Sequence, residues 1–172
     1  MSAFVTERSQ RRGFRVRPAC FERRTQIVQL LRLRTGVQAG ASALAPSTRT
    51  SDQLAQIEAA FKRMVVADER GPSDALEERV DSELLLYRYI TEASNNPYYA
   101  EVVAMIEANI QNNLRSAFLK NAAASEFGPE IIAEHSAVLD ALRAGNTEAA
   151  RTATRPRFER AADRLAARAD FA

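Results

Sequence analysis

Four polar side chains of this sequence fall among apolar helical stripes and could do chemistry together. Glu83 and Tyr87 are four residues apart, which puts them on one face of a helix. His135 interrupts an apolar run of Ile131, Ile132, Val138, Leu139 and Leu142, and Arg157 directly follows Pro156. A carboxylate, a phenol, an imidazole and a guanidinium can satisfy one another or hold a polar ligand. Inside a helical bundle each is costly unless paired, so such a cluster is either a satisfied network or a ligand site. Taken singly, each has a plainer reading: Glu83 as a solvent-facing acid, Tyr87 as a core aromatic with a wet hydroxyl, His135 as a satisfied core histidine, Arg157 as one more surface arginine.

Catalytic chemistry has little to work with. The chain has one histidine and one cysteine, far apart in sequence, which is a poor basis for a nucleophile and its base. There is no glycine-rich phosphate loop, no CxxC and no HExxH motif, so an enzyme is not expected. Cys20 alone can form no internal disulfide and no metal-ligand pair, which fits a reducing cytoplasm. No run of about 18 apolar residues exists to span a membrane, and the N-terminus lacks the apolar core of a secretory signal.

The elements that must position the four residues are helices. With only 6 Gly and 6 Pro in 172 residues, a few long elements are expected. A first amphipathic helix starts near Glu22, carries Ile27, Leu30, Leu31, Val37, Ala41 and Leu44, and stops near Pro46. Thr50 and Gln53 read as a capping box for a second helix with Leu54, Ile57, Phe61, Met64 and Val65 inward. Gly71-Pro72-Ser73 breaks it and opens a third, with Leu76, Val80, Leu84, Tyr87 and Ile90 inward. Asn95-Asn96-Pro97 starts a fourth, carrying Tyr98, Val102, Met105, Ile106, Ile110, Leu114 and Phe118. A fifth follows Gly128-Pro129 and ends at Gly145. Asn146-Thr147 caps a sixth, which Pro156 should kink. The expected fold is all-α, an antiparallel bundle of about six helices.

The net charge of +2 hides a basic start, with nine arginines and two acids between Glu7 and Arg34. Such a stretch can meet phosphates. It is equally a solvated arm in an arginine-rich protein, since only Lys62 and Lys120 of the 24 basic residues are lysines. Gly13-Phe14-Arg15-Val16-Arg17-Pro18 alternates apolar and basic residues in a short strand pattern. The chain therefore divides into a basic arm over 1–22 and a helical domain over 23–172.

Two stretches carry a family resemblance. Glu83-Leu-Leu-Leu86-Tyr87, followed by Glu-Ala-Ser-Asn-Asn96-Pro97, resembles a motif of the FCD effector-binding domain of GntR-type transcription regulators of the FadR subfamily. Glu134-His135 through Val138-Leu139 to Gly145-Asn146 and Ala149-Ala150 resembles a second, more specific one. Arg34 through Gln38 to Leu44-Ala45 is a weaker match on the first helix, and the likeness covers roughly residues 25–165. Arg11-Arg12-Gly13-Phe14-Arg15-Val16 resembles the last, wing strand of a GntR winged helix-turn-helix. What precedes the wing in the family is expected to be missing here, through truncation, a late start codon or loss of the reader domain. The resemblance thus implies a ligand-sensing and dimerisation domain, a homodimer in the cytoplasm, that reaches DNA only through a winged-helix domain this chain lacks.

The family often holds zinc or nickel through one Asp and three His. Carried over, these positions fall on Glu83, Tyr87, His135 and Arg157, with intervals of 48 and 22 residues between the last three that resemble the family's. Neutral tyrosine is a poor ligand and arginine is none, so no metal cofactor is expected. Arg157 instead suggests a cation in the metal's place, paired with Glu83 until a small carboxylate takes it, with Arg34, Tyr87 and His135 as further donors. A ligand-free dimerisation module with a decayed pocket is the alternative.

Overall fold

The computed structural model describes residues 24–108 and 128–167. The basic arm over 1–22, its strand pattern, and Ile110, Leu114 and Phe118 lie outside the described residues. Within them the chain is all-α. Helix α1 spans Arg24–Thr48, α2 Ser51–Arg70 and α3 Pro72–Ala93. Helix α4 covers 97–108 as far as it is described. Helices α5 and α6 span Pro129–Arg143 and Thr147–Ala167. No helix among the described residues is long and apolar enough to cross a membrane.

The helix ends follow from local chemistry. The Thr50 hydroxyl accepts from the Gln53 amide at 3.1 Å and the Gln53 side chain accepts from the Thr50 amide at 2.9 Å, a reciprocal cap on α2. Gly71, at φ 79°, ends α2 and hands the chain to Pro72 at the first turn of α3. Asn96 caps α4 by accepting from the Tyr98 amide at 3.1 Å. Gly145, at φ 68°, turns the chain out of α5, and Asn146 caps α6 by accepting from the Ala149 amide at 3.0 Å.

Helix α1 ends at Thr48, two residues past Pro46 and close to the expected stop. Proline that close to a C-terminus costs only the bond to the Ser42 carbonyl. The Arg49 amide still donates to Ala45 O at 2.9 Å, and the Ser47 and Thr48 hydroxyls donate to Leu44 O. Proline is likewise accommodated in α6, which continues through Pro156 to Ala167.

Helix α1 is the middle of the bundle. It packs most extensively along α6 and also against α3 and α5, while α2 lies along α3. Its inner surface is made of small residues, Ala39, Ala41, Ser42, Ala43 and Ala45, all essentially inaccessible, so neighbouring helices approach on several sides. Two side chains expected to face inward do not: Leu44 is exposed at 37% and Tyr98 at 74%. Alanines fill the interior where Leu44 was expected, and Tyr99, next to Tyr98, packs on Gly40 of α1 instead. On α3, Leu76 and Leu84 are half-buried and Leu86 is the buried leucine.

Candidate functional site

Helix α3 presents Arg79, Glu83 and Tyr87 one turn apart on its buried face. The Glu83 carboxylate is the hub. Arg157, reaching across from α6, donates through Nη2 to Glu83 Oε1 at 2.7 Å and Oε2 at 3.0 Å. Arg79 Nη1 donates to Oε2 at 3.0 Å, while its Nε donates to Asp68 Oδ1 at 3.4 Å. Asp68 also accepts from the Gly128 amide at 3.2 Å, tying this network to the start of α5.

His135 joins from α5. A carbonyl can only accept, so the 2.6 Å contact between Nδ1 and Ile131 O places a proton on Nδ1. Its Nε2 faces Glu83 Oε1 at 3.4 Å, which is long for a hydrogen bond.

Arg34 of α1 closes the other side. Its Nη2 donates to Glu107 Oε1 on α4 at 3.2 Å, and its guanidinium carbon sits 5.0 Å from the centre of the Phe158 ring. The same Phe158 meets Tyr87 edge-on at 4.7 Å, and Tyr87 lies 5.7 Å from the His135 ring. All five residues singled out from sequence, Arg34, Glu83, Tyr87, His135 and Arg157, thus converge from four helices. All are at most 9% exposed.

Burial alone would raise the Glu83 carboxyl. Arg157, then His135 and Arg79, outweigh it and hold the group well below its usual range. Burial, reinforced by the Glu83 charge, pushes the Tyr87 phenol up, so Tyr87 stays a neutral hydroxyl. Burial also lowers Arg34, against the pull of Glu107 and Glu83.

A cavity of ≈ 20 Å³ opens among Arg34, Glu83, Tyr87, Arg157 and Phe158. That is room for about one water. Leu31, Val80, Leu84 and Ala161 make its apolar walls. Two of the residues lining it carry buried polar atoms without a hydrogen bond among the described residues, the Tyr87 hydroxyl and Arg34 Nε.

Residues 29–168 match the FCD domain family. The chain belongs to that family. FCD domains are the effector-binding and oligomerisation domains of GntR-type transcription regulators. Among solved structures the FCD fold found here is similar to E. coli McbR/YncC, with a TM-score of 0.68 at 21% identity over 83% of this chain. The chain spans 65% of that protein's length. No curated protein matches the sequence.

The divalent metal implied by the resemblance does not fit this FCD domain's donor set. Among the described residues no three His, Cys, Asp or Glu side chains come together as ligands. A dication on Glu83 would also meet the guanidinium groups of Arg157 and Arg79, which already lie 2.7 and 3.0 Å from its oxygens.

Sequence reasoning missed Arg79, Glu107 and Phe158. Arg79 had a signal, its four-residue spacing from Glu83 on one helix. Phe158 follows Arg157 directly and sits where a turn of α6 faces Tyr87. Glu107 gave none, since a lone acid after Ile106 reads as a solvent-facing residue until α4 is placed on α1.

Proposed function

We propose that this FCD domain is the metal-free sensing and dimerisation unit of a FadR-type regulator, and that it binds a small carboxylate-bearing metabolite at Arg157. The observation that carries the reading is the cavity beside the Arg157–Glu83 pair, lined by two arginines and by a buried tyrosine hydroxyl without a partner among the described residues. The ligand's carboxylate takes Arg157 bidentately, and Arg34 Nε and the Tyr87 hydroxyl donate to the remaining lone pairs of the same two oxygens. At ≈ 20 Å³ the cavity must widen for any metabolite, so binding selects an opened arrangement. In that reading the ligand shifts the geometry of a homodimer in the cytoplasm, and DNA is reached only through a winged-helix domain. No catalytic step is assigned: His135 Nδ1 is committed to Ile131 O.

The test is a thermal melt of chelator-stripped protein against a panel of small carboxylates, with zinc and nickel as separate arms. One or more carboxylates raise the midpoint, the metals do not, and Arg157→Ala abolishes the response. Undiminished carboxylate binding by that variant would sink the assignment of Arg157.

One observation favours a second reading. Glu83 is already saturated by two arginines, and the cavity is no larger than a water site, as in a dimerisation module whose pocket has closed. That module responds to no carboxylate at all.

A further inference from the structure

The head and the tail of a bound carboxylate meet different chemistry in the cavity. Arg34 Nε and the Tyr87 hydroxyl line it, and neither has a hydrogen-bond partner among the described residues. At 4% and 1% exposure these residues are beyond the reach of bulk water, and both groups can donate to a carboxylate. With the head on them and on Arg157, the polar lining left over among the described residues is the Glu83 carboxylate. Its two oxygens already accept from Arg157 and Arg79, and its charge repels a second anionic group. A hydroxyl, carboxylate or phosphate elsewhere on the ligand would therefore be buried without a partner.

The tail meets hydrocarbon. Leu31 of α1, Val80 and Leu84 of α3 and Ala161 of α6 form aliphatic walls, while the Phe158 ring already carries Arg34 and meets Tyr87 edge-on. Leu31 and Val80 are at most 8% exposed, whereas Leu84 and Ala161 are half-buried, so the cavity comes nearest the surface between these two. Helices α3 and α6 each pack on α1 rather than closely on one another. Side chains, not backbone, close the gap between them, and a tail can pass there by side-chain movement.

Resting on the carboxylate-sensing function proposed above, we infer that the ligand is an aliphatic monocarboxylate whose tail lies between α3 and α6. Its carboxylate takes Arg34 Nε and the Tyr87 hydroxyl beside Arg157. Its hydrocarbon lies against Leu31, Val80 and Leu84 and ends at Ala161, the smallest wall, which sets how bulky the tail can be. Dicarboxylates, hydroxy acids and phosphates are disfavoured by the same lining.

The experiment is calorimetric titration and thermal melting of the whole chain with propanoate, 3-methylbutanoate and 4-methylpentanoate. Malonate and succinate are the isosteres of the last two, with a carboxylate in place of the isopropyl group. Affinity rises about threefold with each carbon added to the monocarboxylate, and each branched acid binds about tenfold or more tighter than its dicarboxylate. Ala161→Leu fills the end of the tail's path, so 4-methylpentanoate loses about tenfold while propanoate is unchanged. Wild-type protein carries the decision if that variant does not fold. Succinate, or 2-hydroxy-4-methylpentanoate, binding tighter than 4-methylpentanoate overturns the aliphatic tail while leaving the carboxylate site standing. An equal loss for both acids in Ala161→Leu overturns the tail's placement. An amide, 4-methylpentanamide, that matches its acid overturns the carboxylate site and the tail with it, as does silence across the whole panel.

Discussion

Arg34 of α1 and Glu107 of α4 form an ion pair at 3.2 Å with side chains only 4% and 3% exposed. Glu107 holds Arg88 of α3 at 3.1 Å with its other oxygen, so one carboxylate joins three helices at the edge of the cavity. The two arginines differ in what they lose without it. Among the described residues Arg34 would keep the Phe158 ring beneath it and the more distant charge of Glu83, whereas Arg88, 50% exposed, turns to water. Glu107→Ala therefore destabilises the domain by about 3–5 kcal/mol, the usual result of stranding a buried charge. Arg88→Ala costs less than about 1 kcal/mol. Urea unfolding of the two variants checks the contrast, and equal small losses would show that Arg34 finds another partner.

Glu83 sets the acid response. Its carboxyl sits well below the usual 4.5 in the folded protein, chiefly because Arg157, His135 and Arg79 outweigh burial, with Arg34 and Tyr87 also close by. A depressed folded-state value means that the unfolded chain takes up the proton first. The stabilisation is thus complete above the ordinary carboxyl range and is lost as pH falls through that range toward the folded value. Unfolding free energies of wild type and Glu83→Gln, measured from neutral pH downward, should converge in that window. A difference that stays constant with pH would mean that Glu83 is not the titrating group.

Much of the bundle was legible because its helix ends use side-chain chemistry that sequence displays. The Thr50–Gln53 cap, the turn at Gly145 and the Asn146 cap are all where their residue types place them. Four of the five candidate residues were visible as polar interruptions of apolar stripes. What sequence could not show is the inside of α1, whose alanines and Ser42 have too little hydrophobic contrast to mark a face. Leu44 and Tyr98 were assigned inward by hydrophobicity, but close helix approach on α1 is set by small residues. Glu107 joins the network through contacts with α1 and α3, which no local pattern encodes.

Gly40 shows that close approach directly. A Cβ built there would lie 2.6 Å from the Tyr99 hydroxyl oxygen and 3.1 Å from its ring. Alanine is otherwise favoured over glycine inside a helix by about 1 kcal/mol. Gly40→Ala therefore destabilises wild type, where Tyr99 and through it α4 must shift, but stabilises a Tyr99→Ala background. A double-mutant cycle from melting data reads the sign reversal directly. The same sign in both backgrounds would mean that α4 yields to the methyl group without loss.

The departures from the family's metal ligands suggest how to restore a metal. Glu83 and His135 remain as one carboxylate and one imidazole, with Nε2 turned toward the carboxylate at 3.4 Å. Tyr87→His with Arg157→His supplies two more imidazoles at the positions the resemblance assigns to ligands, and removes the guanidinium that occupies Glu83. One carboxylate and three imidazoles form a reasonable set for zinc or nickel. The chelator-stripped double variant should melt lower than wild type, because Glu83 keeps only Arg79 and the His135 ring, and should rise sharply with added zinc or nickel. Wild type should not move under the same additions. A metal response in wild type would show that ligands beyond Glu83 and His135 reach this cage, while a silent double variant would show that Arg79 alone is enough to keep a dication out.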